Sequence, residues 1–475
     1  MRKKNILLLC LFLLIINKEY LFSQDGGSWD VHISRTAGEN IKHGLIAGVE
    51  TIASVGFVTV FNYFIDKTPW ALPSKDSIRH NFTETWWWED NDDFAVNQLG
   101  HPVQGLFSFG AGRANGFSFY QSVFFNSFGG FVWETLGESN FASMNDFITT
   151  ATGSIAMGEM FYRLYLEAYS AGLPEPLAFF INPMVSLHRL LTGWKPPDTG
   201  RNLELLQFYA GGSYAVTHYT VSNREKELFS FQGPAAEIGC NVIYGNPFEQ
   251  DTLIPYRQFE LSLSYGINFG NYNNFTIISD GYLFSFSRFF SDADKMSAGL
   301  SMHLDYRSLG EYSTEDSTIN QYSNALDWTF KYQHLFSQNA SFQAKIHTGL
   351  TFFGVSKYFA NTPVVNDVGH IKKDFNNFGA GPNCKWLFAL KHDKLGSLEM
   401  NLYYYLLLTF PGTTYLEHGT VNALFADVGY TYFFTKHISS SVMYSAAREW
   451  GSYNKRFITG FKSNDVIKVF IAWNL

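Results

Sequence analysis

The stretch Val466-Ile467-Lys468-Val469-Phe470-Ile471-Ala472-Trp473-Asn474-Leu475 ends the chain and sets Ile467, Val469, Ile471, Trp473 and Leu475 against Val466, Lys468, Phe470, Ala472 and Asn474. Successive side chains of a strand point to opposite faces, so this alternation lays one apolar, aromatic-bearing face along a final strand. Such a face suits a lipid-facing wall and the closing seam of a cylinder, because hydrocarbon tolerates no unpaired strand edge. Taken alone it suits the last strand of a soluble sheet equally well. The segments before it decide between the two.

Working back, Phe259, Leu261, Leu263, Tyr265, Ile267 and Phe269 alternate with Gln258, Glu260, Ser262, Ser264, Gly266 and Asn268. The period of two recurs in Ala298 to Tyr306 against Ser301, His303, Asp305 and Arg307, and in Leu326 to Tyr332 against Asp327 and Lys331. It recurs again in Phe342 to Ile346 against Gln343, Lys345 and His347, and in Met400 to Leu408 against Glu399 and Asn401. Weaker runs lie near Leu206, Ile238, Phe284, Phe388, Val428 and Met443. Together they predict about 12 antiparallel strands, an even number as closed bacterial barrels have. A β-sandwich also alternates, but its outer face is wet and its strands are shorter. Segments 312–322 and 361–376 read as long polar loops, and Thr435-Lys436-His437 as a tight turn, the asymmetry expected of extracellular loops and periplasmic turns.

Composition agrees with a barrel. Aromatic residues make up 18% of the chain and charged residues only 16%, against about 25% charge in soluble domains. A mean hydropathy of -0.08 argues against a bundle of membrane helices and for strands whose two faces average out. The net charge of -8 leaves no basic surplus to displace phosphate counterions, so nucleic acid is excluded as a partner. Arg2-Lys3-Lys4, the apolar run Ile6 to Ile16 and a polar exit through Ser23 read as a Sec-type signal peptide, with Cys10 inside its apolar core. Cys240 and Cys384 fall in strand-like segments far apart in strand order and are expected as free thiols.

From about Trp29 to Gly200 the apolar period is helical. Gly193-Trp194-Lys195-Pro196-Pro197-Asp198-Thr199-Gly200 marks the boundary, because paired prolines block helix and ladder alike. Three helices are predicted. The first, about Arg35 to Ile65, contains a run from Gly44 to Ile65 long enough to span a bilayer, but Glu50 with Ser54, Thr59 and Asn62 makes docking against protein the expected fate of its carboxylate. The second, about Phe117 to Thr135, carries Ser118, Ser122, Asn126, Gly130 and Glu134 at i, i+4 spacing, a small polar stripe that admits another backbone. The third opens with Ser143-Met144-Asn145-Asp146 as a cap and puts Thr152, Ala156, Glu159 and Arg163 on one face, with Glu159 and Arg163 one turn apart.

Within this half stand His101-Pro102-x-x-Gly105, Ala111-Gly112-Arg113-Ala114-Asn115-Gly116, Trp133-Glu134, Gly137-Glu138, Asn145-Asp146 and Gly158-Glu159-x-x-Tyr162-Arg163. Together they resemble a family of Gram-negative envelope proteins of unassigned activity. The resemblance covers roughly residues 97–165. In that family such a helical block precedes a C-terminal outer-membrane barrel, so the resemblance implies an architecture and no reaction.

His101, Glu134, Asp146 and Glu159 are the candidate catalytic residues, and Arg113, Glu138 and Arg163 complete a binding or structural polar cluster. His, carboxylate and guanidinium groups on apolar helices are the raw material of an acid/base site or an anion clamp. They equally form a salt-bridged network holding helices together, and opposite charges on small-residue helices favour that reading. No ligand spacing of the HExxH kind appears, so neither a metal nor another cofactor is expected. Trp86-Trp87-Trp88 before Glu89, Asp90, Asp92 and Asp93 reads as an interfacial aromatic anchor with an acidic flank, since the carboxylate spacing is not that of a calcium loop. His437-Ile438-Ser439, with Glu449 downstream, resembles the His-x-Ser pair of outer-membrane phospholipid and lipid A esterases.

The expected architecture is a signal peptide over 1–23, a helical domain over 24–200 acting as lumen plug or periplasmic cap, and an outer-membrane β-barrel over 201–475. About 12 strands leave room for one or two helices, so part of the helical domain is expected outside the lumen. The leading function is to bind or pass a small polar or amphiphilic molecule, without catalysis. The competing one is an esterase or other hydrolase modifying lipid or lipopolysaccharide. Outer-membrane lipid and, during biogenesis, the barrel-assembly machinery are the expected partners.

Overall fold

A computed structural model describes residues 36–68, 70–83, 94–221, 227–249, 251–268, 272–309, 319–365, 371–410, 419–453 and 460–475. The signal-peptide segment and the Trp86 to Asp93 cluster lie outside these residues. Chain contacts divide the molecule into two compact units between Asn202 and Leu203.

The first unit is helical: α1 (Ala37–Phe61), α2 (Lys75–Thr83), α3 (His101–Ala114), α4 (Phe119–Val132), α5 (Met144–Ser170), α6 (Glu175–Ile181) and α7 (Pro183–Thr192), with single π turns at Asn62–Asp66, Val96–Gly100 and Trp133–Gly137. Three helices were predicted, and α1, α4 and α5 answer to them; α2, α3, α6 and α7 were not. Caps fix the starts. Thr36 and Glu39 close a capping box on α1, Ser118 and Gln121 do the same for α4, and the Ser143 hydroxyl accepts from the Asp146 amide on α5. Gly193, at φ 70°, ends α7 in the left-handed conformation that glycine adopts without strain. Apolar clusters hold parts of the unit, one of Tyr162, Tyr165, Leu166 and Val185, another of Val55, Val132 and Trp133.

The second unit is a closed antiparallel barrel of twelve strands: β1 (Leu203–Val221), β2 (Glu227–Tyr244), β3 (Phe259–Asn268), β4 (Tyr272–Phe289), β5 (Asp294–Leu309), β6 (Ile319–Ser337), β7 (Ala340–Val365), β8 (Ile371–His392), β9 (Gly396–Thr409), β10 (Gly419–Phe433), β11 (Ile438–Tyr453) and β12 (Gly460–Asn474). β1 pairs with β2 on one side and β12 on the other, in the register Phe208↔Trp473 and Tyr214↔Ile467, so no edge remains. Ile467, Val469, Ile471 and Trp473 are exposed on the outside, while Val466, Phe470 and Ala472 are buried.

Two details differ from the sequence reading. Segment 361–376 is not a long loop: β7 runs to Val365 and β8 begins at Ile371, with Val364 paired to Lys372 and Val365 to Ile371. Leu261 shares the outward face with exposed Ile267 but is buried, as are its neighbours Val242, Ile277 and Leu304. Beside that patch Tyr256, at φ 57°, lays its ring where a Cβ on Gly281 would stand, 2.2 Å from two ring carbons, so only glycine fits there.

Candidate functional site

The inward faces of β3 to β9 carry a group of charged residues that register brings together. Glu260 and Asp280 are cross-strand partners on β3 and β4, as Lys331 and Lys345 are on β6 and β7. Like charges directly opposite destabilise a sheet. Here each pair neutralises the other. Lys331 Nζ stands 2.9 Å from both Glu260 Oε1 and Asp280 Oδ2, and Lys345 bonds Glu260 Oε2. β3 and β7 are four strands apart round the wall, so the Lys345 to Glu260 contact crosses the lumen.

A second chain of polar groups lies beside it. Asp305 accepts from Tyr405 Oη at 2.7 Å and pairs with Lys385, whose ammonium also donates to His303 Nδ1 at 2.9 Å. His303 Nε2 stands 2.7 Å from Ser301 Oγ, which donates to the Asp327 carbonyl at 3.2 Å. His347 Nδ1 meets Thr329 Oγ1 at 2.8 Å, and Asn383 donates to Asp327 Oδ1 at 3.0 Å. Ser301, His303 and Asp327 have the composition of a nucleophilic triad, but the proton placement opposes it. An ammonium has donors only, so Nδ1 of His303 accepts and the neutral ring carries its proton on Nε2. That proton points at Ser301 Oγ, which also contacts the Asp327 carbonyl and Thr329 Oγ1. A base that already donates to its nucleophile cannot deprotonate it.

Arg307 is a further interior cation. Its Cζ lies 4.4 Å from the ring centres of both Tyr403 and Phe425, and the side chain is 7% exposed. Nε and Nη2 have no hydrogen-bond acceptor among the described residues, while Asp427 and Asp305 supply the field of opposite charge. Around it, Ile319, Tyr403, Tyr405, Ala423, Phe425 and Ala447 form one buried cluster, with Ile278, Leu309 and Leu387 packed against it. These residues come from strands between β4 and β11, and so meet across the lumen. The Lys462 ammonium, paired with Glu449 at 2.9 Å, reaches the Lys357 carbonyl from β12 to β7 at 3.0 Å. Cα atoms of β6 approach those of β11 and β12 to within 8 Å. The barrel is thus filled by its own side chains at this level.

In the helical unit the candidates from sequence fall into two groups. Glu159, fully buried, pairs with Arg113 Nε at 2.9 Å and Arg163 Nε at 2.9 Å, and Arg113 lies 4.6 Å over the Tyr162 ring while donating to the Phe117 carbonyl. His101, Glu134 and Asp146 meet instead at the start of α5. Glu134 Oε2 accepts from the Ser143 amide, and Asp146 accepts from Ser143 Oγ and Asn145 Nδ2, as suits carboxylates at a helix N-terminus. His101 Nε2 stands 3.7 Å from Asp146 Oδ1, and its Nδ1 meets Thr150 Oγ1 at 3.1 Å. Burial lowers the His101 pKa to about 4, outweighing that carboxylate, so the ring is neutral. Glu138 is buried just past the Trp133–Gly137 turn. Among the described residues no three His, Cys, Asp or Glu side chains are arranged to hold a metal.

His437 and Ser439 are not joined by a hydrogen bond among the described residues. His437 lies in the β10 to β11 turn with Nδ1 at 3.0 Å from the Asn474 carbonyl, Ser439 points inward, and Glu449 is committed to Lys462. Cys240 and Cys384 are free thiols. Sequence reading passed over two further groups in the helical unit. Glu50 pairs with His188 at 2.7 Å and accepts from Asn115, and Glu175 gathers Tyr165, Ser186 and Arg189. The docking of Glu50 against protein is as expected; its histidine partner, 138 residues away, carries no local signal.

Residues 86–184 match the model of a domain of unknown function, DUF3943, a span that contains the motifs quoted above. No curated protein matches the chain. Among solved structures, the toluene transporter TodX of P. putida aligns at 9% identity over 57% of this chain and 90% of its own, with a TM-score of 0.24. The NanC porin aligns at 11% identity over 56% of this chain and 100% of its own, TM-score 0.22, and the KdgM porin at 11% over 55% and 98%, TM-score 0.21. At these values nothing about activity is carried across.

Proposed function

We propose that this chain is an outer-membrane barrel of a Gram-negative cell that binds, and passes on opening, a small amphiphilic molecule bearing an anionic group. The Sec-type leader read in residues 1–23, insertion by the barrel-assembly machinery and a surround of outer-membrane lipid belong to the same reading. Arg307 carries it. A buried guanidinium with two donors unanswered is costly, and an anion placed there would satisfy them with charge-assisted bonds. The flanking Tyr403 and Phe425 rings suit an apolar portion of the same molecule. Modification of lipid or lipopolysaccharide gains less support, because Ser301 and His303 have the wrong proton placement and His437 and Glu449 are otherwise engaged.

Calorimetric titration of the purified full chain with hexanoate and with 1-hexanol tests this. The acid should bind and the alcohol bind far more weakly, and Arg307→Met should weaken the acid about tenfold or more, the value of one charged hydrogen bond. Equal binding of acid and alcohol, or an unchanged affinity in Arg307→Met, overturns the proposal.

A further inference from the structure

The helical unit has its polarity arranged as a membrane protein has it. α1 shows the pattern most fully. Leu45, Val49, Ile52, Phe57, Val60 and Phe64, in α1 and the π turn that continues it, are exposed, several by more than half. The polar residues Thr51 and Ser54 are buried, and Glu50 is turned inward onto His188 and Asn115. Exposed charges flank the stretch, Lys42 before it and Asp66 and Lys67 after it. The 22 residues from Gly44 to Ile65 span about 33 Å at helical rise, close to the ~30 Å of bilayer hydrocarbon. The stretch from Ala37 to Asp66 is apolar enough to cross a membrane, and only 17% of its most apolar window is buried.

Neighbouring helices repeat the arrangement. Tyr120, Phe124 and Phe131 of α4 and Leu187, Leu190 and Leu191 of α7 are exposed, while Ser108, Ser122, Asn126, Thr150 and Ser154 are buried. The helices meet on small residues. A Cβ on Gly129 would stand 2.1 Å from Ser108 Oγ, and one on Gly105 would stand 2.0 Å from Ser154 Oγ. Helices in lipid associate through such close glycine and serine faces, since apolar side chains gain nothing by leaving acyl chains for one another. A helical unit standing in water would need the reverse, with Leu, Val and Phe inside.

We propose that the outward face of α1 is immersed in the acyl chains of the bilayer. The inference is independent of the ligand assigned to Arg307. Single cysteines at Leu45, Val49, Ile52, Phe57 and Val60, with Lys42 as the aqueous control, can be placed in the full chain after Cys10, Cys240 and Cys384 are changed to serine. Each is labelled with NBD in phosphatidylcholine vesicles, folding being checked by heat-modifiable mobility. The five apolar positions should be quenched about twofold or more by doxyl lipid, by 12-doxyl most strongly at Ile52 and Phe57 near the middle of the span, and untouched by iodide, with Lys42→Cys the reverse. Iodide quenching along the face overturns immersion in favour of water. Protection from both quenchers overturns it in favour of a protein cover. Quenching by 5-doxyl lipid alone at all five positions overturns it in favour of the headgroup surface.

Discussion

Glu159 pairs with both Arg113 and Arg163, and its replacement should destabilise the helical unit more than replacement of either arginine. The carboxylate is fully buried with a guanidinium nitrogen 2.9 Å away on each side. Glu159→Gln removes the carboxylate with which both guanidinium groups pair, and removing one member of a buried pair costs about 3–5 kcal/mol. Arg163→Met leaves Glu159 paired with Arg113 and forfeits one charged hydrogen bond, about 1.5–3 kcal/mol. In the double variant one stranded cation is gone, so part of the Glu159→Gln loss should return. Pulse proteolysis of the full chain in vesicles across a urea series reads the unfolding midpoint of the unit without requiring the barrel to unfold. The order of stability should be wild type, Arg163→Met, double variant, Glu159→Gln. Unshifted midpoints in both single variants, or a larger loss in Arg163→Met than in Glu159→Gln, would refute the structural role of the triad.

Three further outcomes follow from the same geometry. His101 is neutral when folded, with its pKa lowered to about 4, whereas the unfolded chain protonates near 6.5; stability is therefore full above pH 6.5 and falls by about 3 kcal/mol in all as pH drops toward 4. His101→Gln should flatten that acid limb in the urea midpoint measured against pH. Lys331→Met leaves Glu260 and Asp280 opposite one another with one bridging ammonium fewer, and should lower the temperature at which the barrel loses its heat-modifiable mobility, with Lys331→Arg retaining most of it. Cysteines at Leu398, Met400 and Val442 should resist a water-soluble maleimide in intact membranes, since these side chains line the outer wall; labelling there would contradict the wall assignment.

The barrel was legible because its signal is local and repeated: each strand announces its two faces within ten residues, and all twelve strands grow from runs visible in the sequence. α3 was not among the predicted helices, and its Pro102, Gly105, Gly110 and Gly112 are residues of low helix propensity. The structure gives part of the reason for them: Gly105 and Gly112 admit Ser154 and Ser122 from neighbouring helices at distances no Cβ would allow. The charge network inside the barrel was legible only as a list of inward residues. That Lys345 meets Glu260 and Tyr405 meets Asp305 depends on the curvature of the closed sheet, which joins positions 85 and 100 residues apart. The Glu50 to His188 pair escaped notice because helix packing joins positions 138 residues apart. Glu159 and Arg163 were found because one helical turn joins them, whereas Glu134 and Asp146 belong with Ser143 and not with that pair.

Planar-bilayer recording tests the central claim, a barrel closed by its own side chains around Arg307. The wild-type chain should show no steady conductance, and the Tyr405→Ala, Phe425→Ala double variant, which removes the packing across the lumen, should open a steady, anion-preferring one. A wild-type chain that already conducts steadily, at a level the double variant leaves unchanged, would contradict it.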